Sequence, residues 1–185
     1  MIPSNHRRWT TICVCLGLLL SLAACTSAPP ADTVKAAVAV PAANDVRAIH
    51  PPALDLDRKK SLNNEALPVF ESAMQAYAKK DYGKASVALR DATMKAPDSA
   101  EARFFLGICY LMTNDTDAAI AELKTATALG NADYKEDAHY FLAQAFARKR
   151  DSVNASRELD RVIEMKGKQA DRARTLLEVV NVASR

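Results

Sequence analysis

Apolar residues recur at helical spacing from about Asn64 onward, and almost no segment alternates as a β-strand would. Before that, residues 26–57 show neither period, and prolines are scattered among alanines. A short apolar run from Ile12 to Leu22 stands apart near the start of the chain. The pattern therefore predicts an all-α domain that follows an extended, mobile tether and a short apolar segment.

The helical part of the sequence repeats itself. One motif recurs three times, with offsets of 34 and then 36 residues. It consists of a small residue, a leucine four positions later, and a small or branched residue three positions after the leucine. Small residues that face large ones let paired helices approach closely and pack densely. The three matching sets are Ala85, Leu89 and Ala92; Ala119, Leu123 and Ala126; and Ala155, Leu159 and Val162.

This register resembles the tetratricopeptide repeat, a helix–turn–helix unit of about 34 residues. The resemblance is strongest around Leu106, Gly107 and Tyr110, which take signature positions of the second repeat. It implies a short helical solenoid within residues 61–167. Its three repeats are expected at about 66–99, 100–135 and 136–167.

Acidic residues and a proline mark the predicted helix starts. Asp98 and Asp133 each precede a glutamate by three residues, which is capping-box spacing for the second and third repeats. Pro68 is tolerated only in a first turn, so the first helix is predicted to begin close to it. The caps predicted for the second helices are Asp81, Asp115 and Asp151.

Residues 168–185 predict one further amphipathic helix. Helical arrays need a terminal element with a polar outer face, so we expect this helix to cap the repeats. Its apolar face is also a candidate for partner binding.

Residues 1–24 predict an export signal, because Arg7 and Arg8 precede the apolar run and small residues end it. The ending Leu22-Ala-Ala-Cys25 resembles the lipobox of bacterial lipoproteins. That resemblance implies cleavage before Cys25 and acylation of its thiol. The Pro/Ala-rich composition of the following segment predicts a tether over residues 25–60. An ordinary cleaved signal or a membrane-spanning helix are the alternatives, but the run is shorter than the roughly 20 residues that a span needs. The cysteine is followed by Thr26 rather than aspartate, which resembles the pattern of lipoproteins sent to the outer membrane. We therefore expect a periplasm-facing anchor in the outer membrane.

Composition and motifs argue against several functions. Loss of Arg7 and Arg8 lowers the formal charge from +3 to about +1, and no basic stripe suggests nucleic-acid binding. Cys109 would be the one remaining thiol, which predicts a buried apolar residue and no intramolecular disulfide. The sequence has no His-x3-His pair, no glycine-rich phosphate loop and no Gly-x-Ser-x-Gly motif. We therefore expect no enzymatic activity, no metal site and no cofactor.

The remaining candidate site is a surface for a protein or peptide. First helices of tetratricopeptide arrays line a concave groove, and aligned apolar residues there suit an apolar or amphipathic peptide. The same residues could instead form core. Arg103 and His139, at matching repeat positions, and the basic turn 148–150 are a second candidate. The predicted groove residues are Phe70, Met74, Tyr77, Phe104, Ile108, Leu111, Tyr140 and Gln144.

These resemblances together predict a non-enzymatic adaptor, held in the bilayer through acylated Cys25, that binds a protein partner in envelope assembly. Pilus, secretin and outer-membrane machinery are the expected settings, as for pilotin-type lipoproteins. Two alternatives remain open. The repeats could localise and regulate a peptidoglycan enzyme or a protease, or the chain could self-associate through its terminal helix. The sequence determines neither the partner nor the oligomeric state.

Overall fold

A computed structural model of the chain describes residues 49–52, 62–129 and 132–183. Those ranges contain seven helices and no strand, so the predicted all-α class is confirmed. The helices are α1 (Leu67–Ala78), α2 (Tyr82–Lys95), α3 (Ala100–Met112), α4 (Thr116–Ala128), α5 (Ala132–Arg148), α6 (Ser152–Met165) and α7 (Ala170–Ala183).

The helices stack in chain order. Each one packs against the next, and α3 also packs against α5, which is the arrangement of a helical solenoid. The pairs α1/α2, α3/α4 and α5/α6 form the three predicted helix–turn–helix repeats.

The same turn joins the two helices of every repeat. In each turn, the residue just before the second helix's cap has left-handed backbone geometry. These residues are Lys80 (φ 61°), Asn114 (φ 67°) and Arg150 (φ 61°). An aspartate follows each of them and caps the next helix, as predicted. The carboxylates of Asp81, Asp115 and Asp151 accept hydrogen bonds from the backbone N–H groups of Lys84, Ala118 and Asn154.

The two caps predicted for first helices are wrong, although α3 begins at Ala100 as predicted. The cap of α3 is Ser99 rather than Asp98, since the Ser99 hydroxyl accepts from the Ala102 N–H at 3.2 Å. Helix α5 begins at Ala132, so Asp133 lies inside its first turn. The residues inserted before the third repeat extend α5 to 17 residues, against 13 in α3. Pro68 lies in the first turn of α1, as predicted.

Small residues set the helix spacing within a repeat. A Cβ atom placed on Gly107 would lie 2.7 Å from Leu123 Cγ, so α3 and α4 meet at this glycine. The corresponding Ala73 and Ala143 are fully buried in the first and third repeats. The alternation of small and large residues is thus present in all three repeats.

Helix α7 closes the array. It packs against α6 and buries Ala173, Leu176, Val179 and Val180, so its apolar face is covered and the predicted cap is confirmed. Across the described ranges, no helix combines the length and apolar character needed to cross a bilayer.

Candidate functional site

The eight predicted groove residues lie on α1, α3 and α5, and we call their surface the first-helix face. Every member is buried, with exposed fractions from 0% at Ile108 to 6% at Gln144. The face is therefore covered in this structure, which agrees with the core interpretation, whereas a part in partner binding stays a prediction. Its members are Phe70, Met74 and Tyr77 on α1; Phe104, Ile108 and Leu111 on α3; and Tyr140 and Gln144 on α5.

Aromatic rings connect the three first helices. The Phe105 ring is edge-on to Phe70 and Tyr77, with centroid distances of 6.0 and 5.3 Å. It also contacts Phe104, which in turn lies 5.8 Å from Phe141. Such pairs contribute about 0.5–1.5 kcal/mol each beyond the area they bury. The aromatic contacts therefore hold α1, α3 and α5 in a fixed relation.

Sequence reasoning missed three of these rings. Phe105 and Phe141 occupy equivalent positions 36 residues apart, and each follows a predicted groove aromatic. Tyr134 packs against Phe104 at 5.3 Å from the part of α5 that precedes the predicted repeat. The repeated aromatic pairs could have identified the first two, whereas Tyr134 depends on the unforeseen extension of α5.

A short segment from outside the repeats lies against the first-helix face. Residues 49–52 were predicted to be tether, yet Ile49 is only 8% exposed and belongs to the same apolar cluster as Tyr77. The Tyr77 hydroxyl donates a hydrogen bond to the Pro52 carbonyl oxygen at 3.1 Å. Burial raises the pKa of Tyr77 well above its usual range, so this donor keeps its proton. The segment thus adds a contact that local sequence patterns did not predict.

Gln144 carries an unusual polar group. Its side chain is 6% exposed, and Oε1 has no hydrogen-bond donor within the described part of the chain. A buried acceptor without a donor costs about 1–3 kcal/mol. The third-repeat end of the first-helix face therefore contains a buried acceptor that has no donor in the described part of the chain.

The second candidate, the matched basic residues, forms an ion pair in the second repeat and a buried hydrogen bond in the third. Arg103 Nη1 lies 2.9 Å from Glu122 Oε2, and His139 Nδ1 lies 2.7 Å from Glu158 Oε2. Both pairs join the first helix of a repeat to its second helix at equivalent positions. These side chains consequently tie helices together rather than form a basic surface.

Two residues of the basic turn 148–150 also bind groups of the second repeat. Arg148 donates to the Leu111 carbonyl oxygen at 2.6 Å, which satisfies a group at the C-terminal end of α3. Lys149 pairs with Asp117 on α4. The turn therefore joins the second and third repeats.

The Glu158 carboxylate is paired on both oxygens, with His139 and with Arg161. Burial pushes its pKa upward, but the hydrogen bond with His139 and the charge of Arg161 outweigh that effect and lower the pKa. A cavity of about 540 Å³ lies beside this group, between α4, α5 and α6. Its charged lining, which includes Lys135, Arg161 and Glu164, carries both signs.

The remaining candidate chemistry is sparse. Cys109 is buried, and its burial raises the thiol pKa to about 12, so it acts as the predicted apolar residue rather than as a nucleophile. No group of three or more His, Cys, Asp or Glu residues in the described ranges is placed to hold a metal ion. Cys25, the predicted lipidation site, lies outside the described residues.

Known proteins place this geometry in a familiar fold. Residues 76–136 match the tetratricopeptide repeat family model. The type III secretion chaperone SycD of Yersinia enterocolitica, solved with a peptide of the translocator YopD, is similar over 66% of this chain and 97% of its own, with 14% identity and a TM-score of 0.60. The TPR2B domain of yeast Sti1, solved as an Hsp70 complex, is similar over 65% of this chain and 99% of its own, with 17% identity and a TM-score of 0.61.

The first tetratricopeptide domain of Spaghetti (RPAP3), bound to the HSP90 peptide SRMEEVD, covers 68% of this chain and 98% of its own, with 14% identity and a TM-score of 0.60. No curated protein sequence matches the chain significantly. Residues 76–136 are therefore similar in sequence to the tetratricopeptide repeat, and the described helices form an all-α, tetratricopeptide-like solenoid.

Proposed function

We propose that this protein is a non-enzymatic adaptor that binds an extended segment of a partner protein on its first-helix face. The observation that carries the proposal is the contact made by residues 49–52, which lie outside the repeats. Ile49 is buried with the apolar cluster, and Pro52 accepts a hydrogen bond from Tyr77. The face can therefore receive a non-helical segment through both apolar and polar contacts.

Gln144 supports the same proposal from the other end of the face. A buried acceptor without a donor is costly for the free protein. A bound segment that displaced the groups now covering Oε1 and donated a backbone N–H to it would remove that cost. Two of the similar solved structures, SycD and Spaghetti, hold peptides of other proteins. Those complexes support peptide binding as the activity for this fold.

The setting of the adaptor rests on the N-terminal sequence. The lipobox-like Leu22–Cys25 supports acylation of Cys25 and a periplasm-facing anchor, with outer-membrane placement suggested by Thr26. A partner in envelope assembly, such as pilus, secretin or outer-membrane machinery, fits that setting. Regulation of an envelope enzyme would use the same face. Self-association through α7 is less favoured, because its apolar face packs against α6.

The test must separate binding from stability. Truncating a buried ring such as Phe104 costs about 3–5 kcal/mol, so its loss would disturb the fold as well as the face. Gln144→Leu is selective, because it removes the unsatisfied acceptor and keeps a side chain of similar size. We expect unchanged or higher thermal stability, together with partner affinity lowered about 5- to 100-fold by an unpaired N–H in the bound segment.

The matched control is Gln75→Leu, which makes the same change at an exposed position of α1. Both variants and the wild type are used to recover partners from envelope fractions, and recovered proteins are compared by mass spectrometry. We expect one set of proteins to be retained by the wild type and Gln75→Leu but lost with Gln144→Leu. Identical recovery by all three would contradict the proposal.

A further inference from the structure

Residues 49–52 make contacts that resemble those of a bound ligand rather than those of a linker. Ile49 places an apolar side chain in the buried cluster, at 8% exposure, whereas the neighbouring His50 is exposed. Pro51 and Pro52 are half-buried and belong to no helix or strand. One buried anchor followed by two partly covered prolines is a pattern common in short peptides bound to proteins.

The chemistry of the two prolines suits an apolar face. Proline has no backbone N–H, so this dipeptide can lie on rings without leaving an unpaired donor. A residue that precedes proline is also held extended, which lowers the entropy lost when His50 and Pro51 are ordered. The carbonyl of Pro52 is the polar group that remains, and Tyr77 supplies its donor at 3.1 Å.

The receiving surface is aromatic. Tyr77 lies edge-on to Tyr82 at 5.5 Å and to Phe105 at 5.3 Å, so its ring is fixed between α2 and α3. Aromatic grooves with a hydroxyl donor are suited to extended, proline-containing segments, since the rings contact the pyrrolidines and the donor binds a carbonyl. Tyr77 supplies that hydroxyl donor, and its own ring belongs to the aromatic group.

We propose that Ile49–Pro52 is an internal occupant of the first-helix face, and that partner segments of the same chemistry compete with it. Such a partner would present an extended stretch in which an apolar residue lies three positions before a proline. This inference rests on the proposed function and specifies its ligand. Because nine residues separate Pro52 from Leu62, the segment is held near the face at an effective concentration on the order of millimolar.

Competition of this kind has a measurable size. If the internal segment occupies the face nine-tenths of the time, the apparent affinity for an external segment falls about tenfold. Removing the Ile49 anchor should therefore raise the apparent affinity for an external segment about tenfold. The probe is a fluorescein-labelled peptide with the sequence of residues 46–55, titrated with full-length protein and followed by fluorescence anisotropy.

We expect Ile49→Asp protein to bind this peptide about tenfold more tightly than the wild type does. His50→Asp is the matched control, because it makes a substitution to aspartate at the adjacent exposed position; its affinity should equal that of the wild type. Adding Tyr77→Phe to Ile49→Asp keeps the ring and removes the donor, so peptide affinity should fall about two- to tenfold. A peptide with aspartate in place of Ile49 should bind none of these proteins.

Equal affinity of the wild type and Ile49→Asp, or no binding by either, would overturn the inference. Light scattering adds a second criterion, since a wild-type dimer that Ile49→Asp dissociates would place the segment on another copy and also overturn it. The experiments also distinguish failure of this inference from failure of the proposed function. Partner recovery that depends on Gln144, with peptide affinity unaffected by Ile49→Asp, would leave the adaptor intact and remove only the internal occupant.

Discussion

Gly107 shows how a single residue sets the distance between paired helices. A Cβ atom at this position would lie 2.7 Å from Leu123 Cγ and 3.4 Å from the Ala119 carbonyl oxygen. Leu123 is fully buried and cannot move aside without displacing its own neighbours. Gly83 on α2 provides the contrast, because it is exposed and the nearest atom to its added Cβ lies at 3.9 Å.

We predict opposite effects for the same substitution at these two glycines. Gly107→Ala gains about 1 kcal/mol of helix propensity but overpacks the α3–α4 contact, so we expect a net loss of about 1–2 kcal/mol in the free energy of unfolding. Gly83→Ala meets no such contact and should add about 0.5–1 kcal/mol. Urea titration followed by circular dichroism measures both. A stabilising Gly107→Ala would mean that α3 and α4 are less tightly packed than described.

Some residue roles could be predicted from the sequence, and others could not. The small residue opposite a leucine was visible, because it recurs in three repeats and packing requires it. The burial of Ile49 was not, since its segment meets the repeats through a hydrogen bond between Tyr77 and Pro52, 25 residues apart, and follows no helical or strand period. Gln144 was assigned to the first-helix face, but its unpaired Oε1 depends on the positions of all its neighbours.

At the level of elements, local sequence predicted the starts of the second helices better than those of the first helices. Each second helix follows a left-handed residue and an aspartate cap, and both signals lie within three residues. The start of α5 was missed because the inserted residues extended an existing helix instead of forming a longer loop. Helix periodicity continues through such an insertion, so it marks the helix but not its first residue.

The pair His139–Glu158 connects α5 with α6 and provides a prediction about pH. The Glu158 side chain is 9% exposed, and its two oxygens lie 2.7 Å from His139 Nδ1 and 2.8 Å from Arg161 Nη1. Glu158→Gln removes the charge from these hydrogen bonds, so we expect a loss of about 2–3 kcal/mol near neutral pH. The equivalent Glu122→Gln in the second repeat should cost about 1 kcal/mol or less, because the Glu122 side chain is 21% exposed.

The pH dependence follows from the lowered pKa of Glu158. Because the carboxyl binds its proton less readily in the folded state than at its ordinary pKa of 4.5, its contribution to stability is full above that pH. The contribution is lost as the pH falls through the folded-state pKa. The stability difference between the wild type and Glu158→Gln should therefore shrink steadily below about pH 4.5. A difference that stays constant down to pH 3 would show that the charge of Glu158 does not stabilise α5 on α6.

For the whole molecule, packing accounts for the repeat domain, whereas its proposed placement in the cell rests on the sequence near Cys25. The described helices bury their apolar residues against one another and end in a capping helix. Helical patterns predicted this arrangement because repeats interact mainly with their neighbours. The proposed acylation rests instead on the lipobox-like residues Leu22–Cys25, so a structure of the repeats does not bear on it.

The anchor hypothesis makes a direct prediction for Cys25→Ser. Acyl chains contribute about 0.8 kcal/mol per buried CH₂, so two or more chains hold a protein firmly in a bilayer and their loss should release it. We expect the wild type in the membrane fraction after a high-salt wash and Cys25→Ser in the soluble fraction, with no incorporation of labelled palmitate. Cys109→Ala is the control, because it removes a buried thiol of the repeats and should stay with the membrane. If Cys25→Ser remained in the membrane fraction, another part of the chain would have to supply the attachment, and the tether model of residues 25–60 would need revision.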